Sequence, residues 1–105
     1  LHNSKKESLL ELTVGISYQH NPLEVIKILE ESIVLLDIKV EELHLQIGID
    51  EFSDSAINIG IRLWAPTISL HATKYQVYAE IYQVLDKAKI TIPFPQRDVH
   101  IHQIK

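Results

Sequence analysis

Six histidines are the first side chains in this sequence whose chemistry asks for an explanation. His100 and His102 stand two apart, so in an extended segment both imidazoles share one face and offer a divalent metal two ligands. Two ligands do not complete a site, and His2, His20, His44 and His71 are scattered with no spacing that fixes a third. The favoured reading is therefore a polar strand face, with no metal and no cofactor expected. Asp50, Glu51 and Asp54 cluster in one short stretch, but their offsets do not match a calcium loop, and a solvated turn accounts for them.

Nucleophilic chemistry is poorly supplied. Cysteine is absent, and no Gly-x-Ser-x-Gly elbow occurs. The three glycines, Gly15, Gly48 and Gly60, all fall within strand-like alternations, where none can form a phosphate loop. In-strand glycines point instead to close approach by another backbone or a bulky ring. Trp64 falls on the outer face of its alternation, near Gly60 and Arg62, which favours a partner covering it. Tyr75, Tyr78 and Tyr82 form a helical stripe that reads as core or interface, with Tyr78 in the core set. No acid/base pair is set by spacing, so an enzyme is not expected.

The elements that must carry these residues follow from hydrophobic periodicity. Residues 1–8 are polar and unpatterned, and read as a linker or the end of an upstream β-domain. Leu10, Leu12, Val14, Ile16 and Tyr18 then alternate with polar or small residues, as in a strand with one buried face. Asn21, Pro22 and Glu24 form a helix start, and Val25, Ile26, Leu29, Ile33 and Leu36 give the buried stripe of that helix. A second alternation (Leu43, Leu45, Ile47, Ile49) and a third (Ile57, Ile59, Ile61, Leu63) flank the polar turn at residues 51–55, as in a hairpin. A second amphipathic helix spans about Leu70 to Ala88 through Val77, Tyr78, Ile81, Val84, Leu85 and Ala88. Val99 and Ile101 finally alternate with His100 and His102. The order β-α-β-β-α-β predicts an α+β, ferredoxin-like sandwich with both helices on one face of a four-stranded antiparallel sheet.

The totals agree with one domain. A chain of 105 residues buries roughly 60–70% of its unfolded surface. Its 46% hydrophobic and 23% charged residues are an ordinary globular balance. The net charge of −4 includes no basic cluster beyond Lys5-Lys6, so nucleic acid is not an expected partner. The longest apolar run, Ser32–Ile38, is too short to cross a bilayer, and there is no signal peptide. The chain starts at Leu1 and contains no methionine, which reads as a piece of a longer protein.

Four stretches carry a resemblance over nearly the whole chain: "LTVGISY" at Leu12–Tyr18, "EVIKIL" at Glu24–Leu29, "SAINIGIRLW" at Ser55–Trp64, and "IPFPQRDVHI" at Ile92–Ile101. The last is the most specific, because Pro-x-Pro-Gln-x-Asp is an unusual string. Together they resemble the C-terminal cytoplasmic domain of the small-conductance mechanosensitive channel family, and Asn3-Ser4 resembles the end of that family's upper β-domain. One departure follows the first strand, where the family often carries acidic residues and this chain has Gln19-His20-Asn21.

The resemblance implies a homo-oligomer, heptameric in the full-length parent. It would form a vase-shaped cage on the cytoplasmic side of a bacterial inner membrane, anchored by helices upstream. It implies that Pro93 and Pro95 fix the exit direction of the chain. The last strand, from about Asp98, would leave its own domain to join a parallel barrel between subunits. On that basis residues 9–97 form the α/β domain and 98–105 the barrel strand. Trp64, Pro93, Pro95, Gln96, Asp98, His100 and His102 are the expected subunit-interface residues. The negative charge points to a cation-tolerant vestibule. The alternative is a soluble ferredoxin-like module that holds an anion or a ring against Arg62 and Trp64, for ligand binding or regulatory oligomerisation.

Overall fold

The computed structural model describes residues 6–93. Three strands and two long helices occur there: β1 (Glu7–Ile16), α1 (Pro22–Ile33), β2 (Gln46–Phe52), β3 (Ile57–Pro66) and α2 (Leu70–Lys87), the last preceded by a single 3-10 turn at Thr67–Ser69. The sheet order is β1-β3-β2, with β3 antiparallel to both neighbours. β1 and β2 therefore run parallel with β3 inserted between them, the split β-α-β arrangement anticipated from the pattern. The fourth strand expected after α2 lies outside the described residues.

Register turns the alternations into one core. Leu10, Leu12, Val14 and Ile16 stand opposite Leu63, Ile61, Ile59 and Ile57. Ile47 and Ile49 continue the same rows on β2. Onto this face α1 lowers Val25, Leu29 and Ile33, and α2 lowers Thr73, Val77, Ile81 and Leu85. Most of these side chains are fully buried. Each large aliphatic among them stabilises the fold by about 1.5–3 kcal/mol relative to exposure.

The helix ends are set by specific groups. Asn21 caps α1, its Oδ1 accepting from the Leu23 N–H at 2.9 Å, and Pro22 occupies the first turn, where no N–H is required. α2 ends differently. Lys89 N–H donates to the Asp86 carbonyl at 3.1 Å and Ile90 N–H to the Leu85 carbonyl at 2.8 Å. This paired closure is a Schellman motif, and Lys89 adopts the left-handed conformation (φ 62) that such a motif reserves for glycine. Ile90 packs against the core beyond it.

Four expectations change. The alternation from Leu43 predicts a strand, but β2 starts only at Gln46. His44 takes a left-handed conformation (φ 48), which breaks the pleat, although the Leu43 carbonyl still accepts from Trp64 N–H at 3.0 Å. Tyr78 is 38% exposed and lies outside the buried stripe of α2, while Thr73, not anticipated, lies inside it. Ala88 is also exposed, because it caps the helix. At the other end of the fold, β1 begins at Glu7, within the stretch read as linker.

Candidate functional site at the open sheet face and the chain exit

The helices cover one face of the sheet, so the other presents its outward residues in cross-strand rows. Thr13, Gly60 and Gly48 form one row, and Glu11, Arg62 and Gln46 the next. Leu9 and Trp64 stand opposite each other beyond them. With two glycines in its floor, this face sinks into a shallow trough of about 440 Å³. Arg62 Nε donates to Glu11 Oε2 at 3.1 Å across the strands, both side chains more than half exposed. The cation on this face is thus engaged by a carboxylate.

Asp50 closes the other side of the trough. The register shifts between Ile49 and Glu51, leaving Asp50 as the extra residue of a β-bulge. Its carboxylate lies against Gly60, where an added Cβ would meet Oδ2 at 2.5 Å. The sequence predicts a backbone or a ring over the in-strand glycines. At Gly60 the neighbour is a carboxylate from the adjacent strand, and at Gly48 there is open space.

The second polar grouping lies where the chain leaves α2. Ser17 N–H donates to the Thr91 carbonyl at 2.9 Å, and Thr91 N–H donates to His20 Nε2 at 2.8 Å. Gln19 Nε2 reaches both Thr91 Oγ1 at 3.3 Å and His20 Nε2 at 3.4 Å. The β1–α1 loop thus grips Thr91 on both sides of its backbone. Nearby, Tyr18 donates its hydroxyl proton to the Ser53 carbonyl in the hairpin turn.

Of the expected interface residues, Trp64 lies half-buried on β3 and Pro93, half-buried, is the last described residue. Pro95, Gln96, Asp98, His100 and His102 lie outside the described residues. Glu51 and Asp54 are exposed at the hairpin. Among the described residues no group of three or more His, Cys, Asp or Glu side chains is placed to hold a metal ion. No described helix is long and apolar enough to cross a membrane. The His20–Thr91 contact escaped sequence reasoning. A lone histidine in a loop gives no sign of its partner.

An open-faced α+β sandwich of ferredoxin-like topology, with its polar groups paired to one another, is the class of domain these features define. Residues 10–92 match the family model described as "Mechanosensitive ion channel MscS, C-terminal". The chain belongs to the MscS family of mechanosensitive ion channels. It is 33% identical over 93 residues to an MscS family protein of Buchnera aphidicola subsp. Schizaphis graminum, covering 89% of this chain and 33% of that protein. It is 32% identical over 102 residues to one from Synechocystis, covering 97% of this chain and 34% of the relative. The crystal structure of Helicobacter pylori MscS in its closed state superposes with a TM-score of 0.78 at 26% identity, over 85% of this chain and 36% of that one. The chain therefore spans about a third of the length of the relatives it matches.

Proposed function

We propose that this chain is the cytoplasmic cage domain of a tension-gated channel that releases ions and small osmolytes. The observation that carries the reading is the match of residues 10–92 to the C-terminal family model, joined to the likeness with the closed Helicobacter pylori channel. In this reading the parent is a heptamer in the inner membrane, with this domain on the cytoplasmic side. Membrane tension acts on helices elsewhere in the parent, and the domain itself catalyses nothing. Seven copies wall a vestibule whose charge biases the ions near the pore.

The residues before β1 lead in from an upstream β-domain, the wall runs from β1 to residue 97, and 98–105 supply one strand each to a closed barrel, which leaves no free edge. Trp64, Pro93, Pro95, Gln96, Asp98, His100 and His102 make the contacts between subunits. Rings of His100 and His102 about a sevenfold axis bring like charges together once protonated. Assembly then weakens as pH falls below the ordinary histidine range near 6.5. Assembly that is unchanged between pH 8 and pH 5 would count against those rings.

The rival reading is a soluble module that holds an anion or a ring against Arg62 and Trp64; the Arg62–Glu11 pair disfavours the anion. Expressing the full-length parent and washing its membranes with carbonate separates the two. Retention in the membrane, followed by suction-activated currents in patches, supports the channel. A soluble parent overturns it.

A further inference from the structure

Two donors converge on one nitrogen of His20: the Thr91 backbone N–H at 2.8 Å and the Gln19 side-chain amide at 3.4 Å. A backbone N–H can only donate, so Nε2 must be the lone-pair nitrogen and the ring proton must sit on Nδ1. An imidazolium has no lone pair at either nitrogen. Protonation would set an N–H against an N–H at Thr91, and the peptide group cannot reverse its polarity. Gln19 can turn its amide to offer an oxygen; Thr91 has no such freedom.

We propose that His20 is a pH-operated clasp: its neutral imidazole holds the backbone of Thr91 where the chain leaves α2, and a protonated imidazole lets it go.

The position gives the clasp its leverage. The Schellman closure at Lys89 delivers Ile90 to the core, and Thr91 is the next residue along. Its carbonyl is held by Ser17 N–H and its N–H by His20, so two residues of the β1–α1 loop hold the two peptide groups that flank the Thr91 Cα. Loss of the His20 bond leaves the Thr91 backbone tethered through its carbonyl alone, with Gln19 still reaching its hydroxyl. The titratable side chains on the neighbouring segments are Tyr18 in the loop, Glu24 in the first turn of α1, Glu51 and Asp54 at the hairpin, and Asp86, Lys87 and Lys89 at the end of α2. Among the described residues none of them forms an ion pair or hydrogen bond with the His20 ring. Among the described residues no carboxylate is therefore in place to hold the protonated ring where it stands.

The test is amide hydrogen exchange of Thr91 in the 105-residue chain from pH 8 to pH 5, with the intrinsic pH dependence of exchange divided out. Protection should fall about five- to tenfold across this range, the worth of one hydrogen bond. His20→Gln presents a carbonyl oxygen that does not titrate, and its Thr91 protection should stay flat. Long-range nitrogen–proton spectra at pH 8 should show the His20 proton on Nδ1. The His100→Gln/His102→Gln double variant separates the clasp from any effect of the two later histidines and should keep the full pH response. A flat profile in the unsubstituted 105-residue chain overturns the clasp, as does a response that survives His20→Gln, a response lost in the double variant, or a proton found on Nε2 at pH 8. All these readouts are local to Thr91 and stand whether or not the parent proves to be a channel.

Discussion

The carboxylate of Asp50 lies directly over Gly60 on the neighbouring strand, its three carboxyl atoms all 2.5–2.6 Å from where a Cβ would stand. Bulge and glycine are thus two halves of one arrangement: the extra residue in β2 carries a side chain across the ladder, and β3 leaves room for it.

Their energies should be coupled. Gly60→Ala alone should destabilise the chain by up to about 1 kcal/mol, because Asp50 must swing away. In an Asp50→Ala background the same change should stabilise by about 0.5 kcal/mol, since glycine is otherwise unfavourable inside a strand. Denaturant midpoints of the four proteins in the cycle measure it. Additive effects would mean that Asp50 moves aside without cost.

Lys89 is a second place where the backbone asks for a residue the sequence does not supply. A left-handed lysine costs about 1–2 kcal/mol relative to its usual conformation. Lys89→Gly should therefore raise stability by about 1 kcal/mol, while Lys89→Ala should not. Equal effects from both would show that charge rather than conformation matters at this position.

Asn21→Ala removes the acceptor for Leu23 N–H at the start of α1. A loss of about 1 kcal/mol is expected, with most of it recovered by Asn21→Asp or Asn21→Ser. Failure of both replacements to recover stability would assign Asn21 a role other than capping.

Leu29 is fully buried, whereas Tyr75 on α2 is 68% exposed. Leu29→Ala should cost about 2–5 kcal/mol through lost burial and the cavity left behind. Tyr75→Ala should stay within about 0.5 kcal/mol in the isolated chain. A large loss at Tyr75 in thermal melts would mean that this stripe is covered in solution.

Much of this architecture could be read directly from residue patterns, because the period-2 and period-3.6 rows of Leu10–Ile16, Ile57–Leu63 and Val25–Ile33 have only one buried face to offer. The start of β2 could not be read. His44 in a left-handed conformation ends a pattern that continues in residue type through Leu43 and Leu45. Tyr78 misled for a related reason: it sits at the margin of the α2 stripe, where a phenol can turn to water, and Thr73 is small enough to be buried. The Asp50–Gly60 and His20–Thr91 pairings join residues 10 and 71 positions apart, and no local periodicity encodes either.

The insertion of β3 between β1 and β2 has a consequence for how the chain matures on the ribosome. β1 emerges early, yet its partner rows run from Glu7 opposite Pro66 to Ile16 opposite Ile57. Until β3 has been synthesised, β1 has no ladder to join, and α1 no complete apolar floor to settle on. Sheet formation must therefore wait for a contact of long sequence separation, the kind that sets slow folding rates. In the interval the Leu10–Ile16 edge is open to pairing with other nascent chains. Among the described strands, β3 is thus both the centre of the sheet and the one whose arrival ends the risk of premature association.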